Sequence, residues 1–504
     1  MSSILTNTSA MVALQTLKSI NSNLAQTQGE ISTGKSVATA KDNSAVWAIS
    51  KVMEADVNGF TAISDSLSLG ESTLAVARQA SETVTDLLTQ MKGKIVAAQE
   101  ENVDRGKLQT DISALRDQIA SVVGAAQFNG LNMVSGTDDV NILSSLDRAP
   151  DGSVSASNIT VARQDLGTAQ GTFGVGASLA ANGTASAATV AGTANTAVVS
   201  YAGTWAANDT ATLTVAGVEL SYTATTTAVG DIASHFAGAI NALGLTGITA
   251  SSASGDLTIS STRAFEGVAV SSVEGATDVS ATANVTALNG TTGLTGTSGT
   301  ISERAENIAF STTAAVTEGD SYKVTVGSSS YDYIAGKGET MEDVARGLKI
   351  AIDSAGAADY STTVAQDATT GQWSLKVDNN GASASFALAG NAGGTASGGL
   401  FGLDSIDVTT DTGATSALDN IETMINVAID AAADFGSSAG RVETQNEFIG
   451  KLTDSLKAGI GSLVDADMEA ASARLQALQV QQQLGTQALS IANQAPQNIL
   501  SLFR

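Results

Sequence analysis

The sequence predicts a discontinuous, multi-domain chain. It is mainly α at its paired termini, as long helices of a coiled-coil rod, with an α+β, β-rich insertion between them. Three observations carry this reading. Residues 1–130 and 416–504 show long helical apolar repeats, and the whole chain holds only two prolines. The roughly 285 residues between them are rich in Gly, Ala, Ser and Thr and punctuated like β-structure. The two ends match in style and neither matches the middle, which brings the termini together and displays the interior of the chain outward.

At 504 residues the chain exceeds what one core supports, and about three to four domains are expected. Aromatic residues make up 4% and charged residues 15%, so the apolar content comes mostly from Ala, Val, Ile and Leu. An Ala-rich chain gains little burial per residue and depends on long repetitive interfaces or on neighbours. The net charge is −26; residues 141–415 hold 25 acidic against 9 basic side chains, a net of −16. Nucleic-acid binding requires a basic footprint, and none is present. There is no cysteine, so disulfide and thiol chemistry are excluded. No run approaches 18 apolar residues, so no membrane-spanning helix is expected. Met1-Ser2-Ser3-Ile4-Leu5-Thr6 has neither a basic nor an apolar signal-peptide region, which points to a cytosolic chain or one exported without cleavage.

Along residues 10–31, Ala10, Ala13, Leu17, Ile20, Leu24 and Ile31 recur at alternating steps of three and four, with Thr27 in the remaining slot. That spacing is the seam of a coiled coil. At the far end Met468, Leu475, Gln482 and Leu489 form one seven-spaced row, and Leu478, Gly485, Ala492 and Ile499 form another. Val480, Leu484, Ala488 and Ile491 lie on a further face, so this helix must be covered on more than one side. A single Leu seam returns roughly 1.5–3 kcal/mol per buried side chain, against about 1–2 kcal/mol per ordered residue. About 40 residues at each end are therefore expected to order only on assembly; a stable intramolecular coiled coil of the two ends is the alternative.

A second helix runs from Ala48 and Ile49 through Phe60, Ile63 and Leu67 past residue 90. Leu108, Ile112, Leu115, Ile119 and Val122 make a third, ending near Gly124, and Leu418, Ile421, Ile425 and Ile429 open a fourth that runs to about residue 460. Between them Gln127-Phe128-Asn129-Gly130 starts β-structure at a hairpin turn.

In the middle, residues 209–260 and 320–378 read as two copies of one ββαβ unit. Leu213 pairs with Val324, Val215 with Val326, Tyr222 with Tyr333, Phe236 with Leu348 and Asn241 with Asp353, and Asp231 or Asp343 caps the helix. Residues 276–300 and 382–400 read as connectors, and Asp378-Asn379-Asn380-Gly381 as a hairpin turn. The many Ser and Thr residues read first as plain polar β-surface, with acceptors of O-linked sugars as the alternative.

Active-site signals are poor. Gly436-Ser437-Ser438-Ala439-Gly440 matches a nucleophile elbow, but the elbow needs a preceding strand and this copy lies among helical stretches. A chance match is expected among 50 glycines, and His235 is the only candidate base. One histidine and no cysteine leave no metal set. No cofactor site is expected. Asp465 and Asp467 suit helix-start electrostatics or subunit contacts.

The end motifs resemble a known family. Asn7-Thr8-Ser9-Ala10, Ser32-Thr33-Gly34-Lys35 and Ala40-Lys41-Asp42-Asn43-Ser44-Ala45 are similar to the N-terminal signature of bacterial flagellin, and Gln127-Phe128-Asn129-Gly130-Leu131 to the turn after its third helix. Asp465-Ala466-Asp467, Ala492-Asn493-Gln494-Ala495-Pro496-Gln497 and Leu500-Ser501-Leu502-Phe503-Arg504 resemble its closing sequence. The resemblance implies a subunit that polymerises into the flagellar filament for swimming motility and is exported unfolded through the flagellar type III apparatus. It places residues 1–44 and 460–504 in an inner tube and 45–177 with 401–459 in an outer tube. Residues 178–300 and 301–400 would be two surface-exposed modules. Leu17, Ile20, Leu24, Ile31, Leu475, Leu478, Leu489 and Ile499 are the expected polymerisation contacts. The implied partners are further copies of the chain, flagellar cap and hook-associated proteins, and an export chaperone on the C-terminal helix; no nucleic acid or membrane is implied.

In flagellins detected by Toll-like receptor 5 the outer helix carries an Arg-x-Arg-Glu-Leu-Ala-type patch. Spacing back from Gln127, the matching stretch contains Gln90, Met91, Lys92, Gly93 and Lys94, with Gln90 for the first Arg, Gly93 for the Glu and Lys94 for the Leu. Losing a guanidinium fork and charging an apolar contact weakens a hot spot, so weak receptor activation is expected. Rival readings are a hook–filament junction protein and a secreted adhesin or surface-layer protein.

Overall fold

The computed structural model describes residues 7–149, 153–357 and 359–501, the side chains of 495–501 excepted. In chain order the elements begin with α1 (Thr8–Thr33), α2 (Ser44–Ala97), α3 (Arg105–Ala125), β1 (Gln127–Phe128), β2 (Leu131–Asn132), β3 (Val140–Arg148) and β4 (Val154–Val161). They continue with β5 (Gly183–Ala185), β6 (Thr189–Val190), β7 (Asn195–Ala202), β8 (Thr210–Val215), β9 (Val218–Thr223), α4 (Val229–Ala242), β10 (Ile248–Ala253) and β11 (Asp256–Ser261). Next come β12 (Val268–Gly275), β13 (Thr282–Leu288), β14 (Thr291–Gly296), β15 (Ser298–Ile301), β16 (Glu306–Phe310), β17 (Ser321–Val326) and β18 (Ser329–Ile334). The chain ends with α5 (Met341–Ser354), β19 (Tyr360–Gln366), β20 (Trp373–Asn379), β21 (Ala384–Asn391), α6 (Asp411–Val464) and α7 (Met468–Ser501).

Two compact units divide the chain: residues 1–72, 140–161 and 437–504 form one, and 73–139 with 162–436 the other. This boundary does not coincide with the divisions expected at 44/45 and 459/460, because α2 and α6 each run through it without a break.

In the first unit α1 and α7 pair antiparallel, and the β3–β4 hairpin lies on the first half of α2. The hairpin comes close because Gly70 has no side chain: a Cβ there would stand 2.6 Å from Ile142 Cδ1. Arg148 of β3 also forms an ion pair with Asp56 of α2.

In the second unit the end of α2, α3 and the start of α6 bury Leu88, Met91, Ile95, Ile119, Ile421 and Phe435. Cross-links at their edges are polar: Lys92 pairs with Glu422, Arg105 with Asp411, and Gln109 donates to the Ile406 carbonyl. The β1–β2 hairpin turns on Asn129 (φ 50°) and Gly130 (φ 81°), two left-handed residues in succession as a type I′ turn requires.

The two central modules share one plan. The first has sheets ordered β10-β11-β7-β13-β14 and β15-β12-β8-β9, with α4 packed on β10 and β11; the second has β19-β20-β16-β5 and β18-β17-β21-β6, with α5 packed on β18, β19 and β20. Trp205, Phe236 and Leu213 fill one core, and Phe310, Tyr322, Leu348 and Val324 the other. Asp209 and Asp320 occupy equivalent buried turns, each accepting from the amide three residues before it, Ala206 at 2.7 Å and Thr317 at 2.9 Å.

Five expectations are corrected here. The repeat is ββαββ, since β10 and β19 precede the last predicted strand; both are short edge strands whose ladder depends on their neighbours. The supposed connectors contain β13, β14 and β15, and β21; Ala283, Val285 and Phe386 bury their inner faces, so small residues suffice where a partner strand is present. Segment 178–194 does not open the first module: β5 and β6 pair with β16 and β21, so the first module interrupts the second. Asp231 and Asp343 sit in the first turns of α4 and α5 rather than at the caps, which are Ala228 and Thr340. The Asp343 carboxylate reaches back 2.8 Å to the Thr340 amide, as in a capping box. Asp378–Gly381 likewise links strands of different sheets instead of turning a hairpin.

Candidate assembly interface

The α1–α7 pair is built from the predicted spacing. Ile20, Thr27 and Leu478 are buried, and Leu17, Leu24, Ile31, Leu475 and Leu489 are half-buried along the same seam. Gly485 lets the helices approach, since a Cβ there would stand 3.2 Å from Leu17 Cδ1 and 3.8 Å from Ile20 Cδ1. Polar ties fix the register: Gln482 donates to Asn21 Oδ1 at 2.7 Å, and Asn7 donates to the Ala492 carbonyl at 2.8 Å. The ends are therefore paired within one chain.

The two short family motifs meet where these helices leave the rest of the unit. Gly34 ends α1 in the left-handed conformation and accepts from the Ala466 amide at 3.0 Å, and Ser36 donates its amide to Val464 at 2.7 Å. Lys35 and Asp465 form an antiparallel bridge between them. Asp467 caps α7 by accepting from Glu469 and Ala470 at 3.1 Å, a helix-start role as expected. The amide and hydroxyl of Thr39, with the Ala38 amide, hold the Asp42 carboxyl below its usual range and fix the turn before α2. Lys41 is exposed in the turn before α2, and Asn493 is exposed at the far end of α7, next to the Ala492 that meets Asn7. Gln127 and Phe128 pair with Asn132 and Leu131 in the β1–β2 hairpin of the second unit. Ile499 and Pro496 fall where side chains lie outside the described residues, and Arg504 lies outside them altogether.

The expected polymerisation contacts are thus largely the seam that closes inside one chain. What remains open is the other face. Met11, Val12, Leu14, Val480, Leu484 and Ile491 are between 56% and 68% exposed. The Val480–Leu484–Ile491 stripe is the further face noted in the sequence, and no element of the described chain covers it.

The other predicted positions resolve simply. Gln90 and Gly93 are exposed on α2, Lys92 pairs with Glu422, and Lys94 with Asp111 at 2.6 Å. Met91 is fully buried and cannot belong to a receptor-facing patch; helical periodicity turns it to the core shared with Leu88 and Ile95. Ser438 lies in the middle of α6 with no strand before it. His235 stacks on Tyr222 at 4.4 Å on the first module.

The match to known proteins agrees. Residues 4–139 match the bacterial flagellin N-terminal helical region, and 418–503 the bacterial flagellin C-terminal helical region. Flagellin A of Rhizobium meliloti is 31% identical over 513 residues, covering 100% of both chains. Flagellin FljN of Caulobacter vibrioides is 43% identical over 140 residues, 27% of this chain and 51% of that one. Among solved structures, flagellar hook associated protein-3 from Legionella pneumophila aligns with a TM-score of 0.32 at 12% identity, covering 82% of this chain and 98% of that one. Paired terminal helices and these matches together define a structural protein of the flagellar type. The chain belongs to the flagellin family. It is accordingly an extracellular structural subunit of the flagellar filament that polymerises with copies of itself.

Proposed function

We propose that polymerisation proceeds through the outward apolar faces of α1 and α7, while the Leu17–Leu489 seam holds each subunit's two ends together. The observation that supports this is the exposure of Val480, Leu484 and Ile491 in one stripe, with Met11, Val12 and Leu14 exposed on the partner helix. Covering such side chains returns roughly 1.5–3 kcal/mol each, enough when repeated over many neighbours to hold a polymer. Already paired within the monomer, the ends gain further rigidity when assembly covers their outward faces. Export proceeds unfolded through the type III apparatus with a chaperone on the C-terminal helix, and the filament meets hook-associated proteins at its base and a cap at its tip. Gln90, Gly93 and Lys94 make the subunit a weak activator of Toll-like receptor 5.

Assembly of a Val480→Ser, Leu484→Ser, Ile491→Ser triple variant tests the central point. Loss of filaments by electron microscopy, with helix content of the monomer unchanged, is expected. Filaments of normal length from that variant would overturn the reading.

A further inference from the structure

The second module rests on the helical part of its unit through α5, and two polar contacts of different character hold it there. At one, the buried Lys349 donates to Asp353 at 2.8 Å on its own helix and reaches Asn420 at 2.8 Å and Asp419 at 3.2 Å on α6. Every group in that cluster has a partner. At the other, a cavity of about 230 Å³ opens between the β18–α5 loop, the segment after β4, the segment after β21 and α6. Glu339 forms part of its wall. One carboxylate oxygen accepts from the Tyr333 hydroxyl at 2.8 Å; the other is buried without a partner. The Arg163 Nε across the same cavity is also buried and unpartnered.

We propose that Glu339 is a pH-sensitive wedge in the dock between the second displayed module and α6: protonated it lets α5 seat, and ionised it draws water into the cavity and loosens the contact. Of the charged groups around it, the carboxylates favour this behaviour and Arg163 opposes it. Asp343 of α5, Asp165 after β4, and Asp430 and Asp434 of α6 line the cavity with the same sign of charge. Lys337 is already paired with Asp139, and Glu342, on the outer side of the loop, is engaged by Arg346. Arg163 is the one cation facing Glu339 without a carboxylate of its own among the described residues. Burial, with a smaller push from Asp343, raises the Glu339 carboxyl to about 7, against the Tyr333 hydroxyl and the Gly336 backbone, which act the other way. Burial raises the Tyr333 hydroxyl too, so it remains a donor throughout.

The sign follows from linkage. An acid whose pKa is raised in the docked state stabilises that state at low pH, and the stabilisation is lost as pH rises from the ordinary carboxylate range through 7. Lys349, with Asp353, Asp419 and Asn420 all in contact with it, is the other half of the dock.

Hydrogen exchange of α5 in the full-length monomer, wild type against Glu339→Gln at pH 5 to 8, tests the proposal, because the ratio of the two cancels intrinsic exchange rates. The ratio is expected to rise on the order of tenfold or more across that range and level off above it. A flat ratio would overturn the proposal, as would a Lys349→Met variant that abolished the pH dependence. Should Glu339→Gln leave α5 unprotected at every pH, carbon-13 titration of the wild-type glutamate carboxyls decides instead. One resonance titrating near neutrality supports the wedge, and all of them titrating in the ordinary carboxylate range excludes it.

Discussion

Asn7 Nδ2 donates to the main-chain oxygen of Ala492 at 2.8 Å, and its Oδ1 accepts from the Ala10 amide at 3.0 Å, so one side chain both caps α1 and ties it to the far end of the chain. Asn7→Ala removes both bonds. The lost cap alone costs about 1 kcal/mol. Faster amide exchange over the first two turns of α1 is expected in the monomer, with α2 unchanged. Asn7→Ser, which keeps a capping oxygen but is too short to reach Ala492, should recover part of the protection.

Gly485 lies in the seam against Leu17 and Ile20. Alanine there gains about 1 kcal/mol of helix propensity over glycine, which offsets the few tenths of an ångström by which Leu17 must yield, so Gly485→Ala should assemble normally. Gly485→Leu cannot be absorbed and pushes α7 off α1. Filament yield on seeding checks the contrast: near wild type for the first, greatly reduced for the second.

Arg304 grips Asp378 with two hydrogen bonds of 2.8 and 2.6 Å, and both side chains are almost wholly buried. Arg304 lies two residues before β16 and Asp378 lies in β20, so the pair braces the second module where the first is inserted. Arg304→Ala strands a buried carboxylate and should lower stability by about 3–5 kcal/mol. The Arg304→Met, Asp378→Leu double variant should recover most of the loss. Urea unfolding followed by Trp373 fluorescence reads both.

The receptor patch offers a gain-of-function test. Gln90→Arg, Gly93→Glu and Lys94→Leu together bring the stretch closer to the activating pattern, with Lys92 still in place of the second Arg. Gly93 has open space for a side chain, and Lys94 gives up only an exposed ion pair with Asp111, worth about 1 kcal/mol at most. A reporter-cell response above wild type is expected, with no change in the monomer melting temperature.

The parts of the fold legible in the sequence are those where periodicity and partner are the same thing. The α1 seam appears with Thr27 in its slot because a three-four repeat is meaningful whatever covers it. The Asn129–Gly130 turn is legible because only residues tolerant of positive φ suit it. The module repeat is legible because duplication preserves spacing. Strands β13 and β14 are not, since their Gly, Thr and Ala residues carry little signal until β7 lies beside β13 and β13 beside β14. Nor is the pairing of β5 with β16, which skips over an entire inserted module.

The sequence alone determined the family, the helical ends, the turn after α3 and the existence of two related modules, since each is written in local spacing or motif. Only the tertiary structure decided which apolar face of α7 closes within the chain and which stays open. It also decided that Met91 points inward, and that Glu339 and Arg163 share a cavity. The reason is physical: a stripe of apolar residues specifies that something must cover it, and burial, unlike periodicity, belongs to the pair of surfaces and not to either strand of sequence.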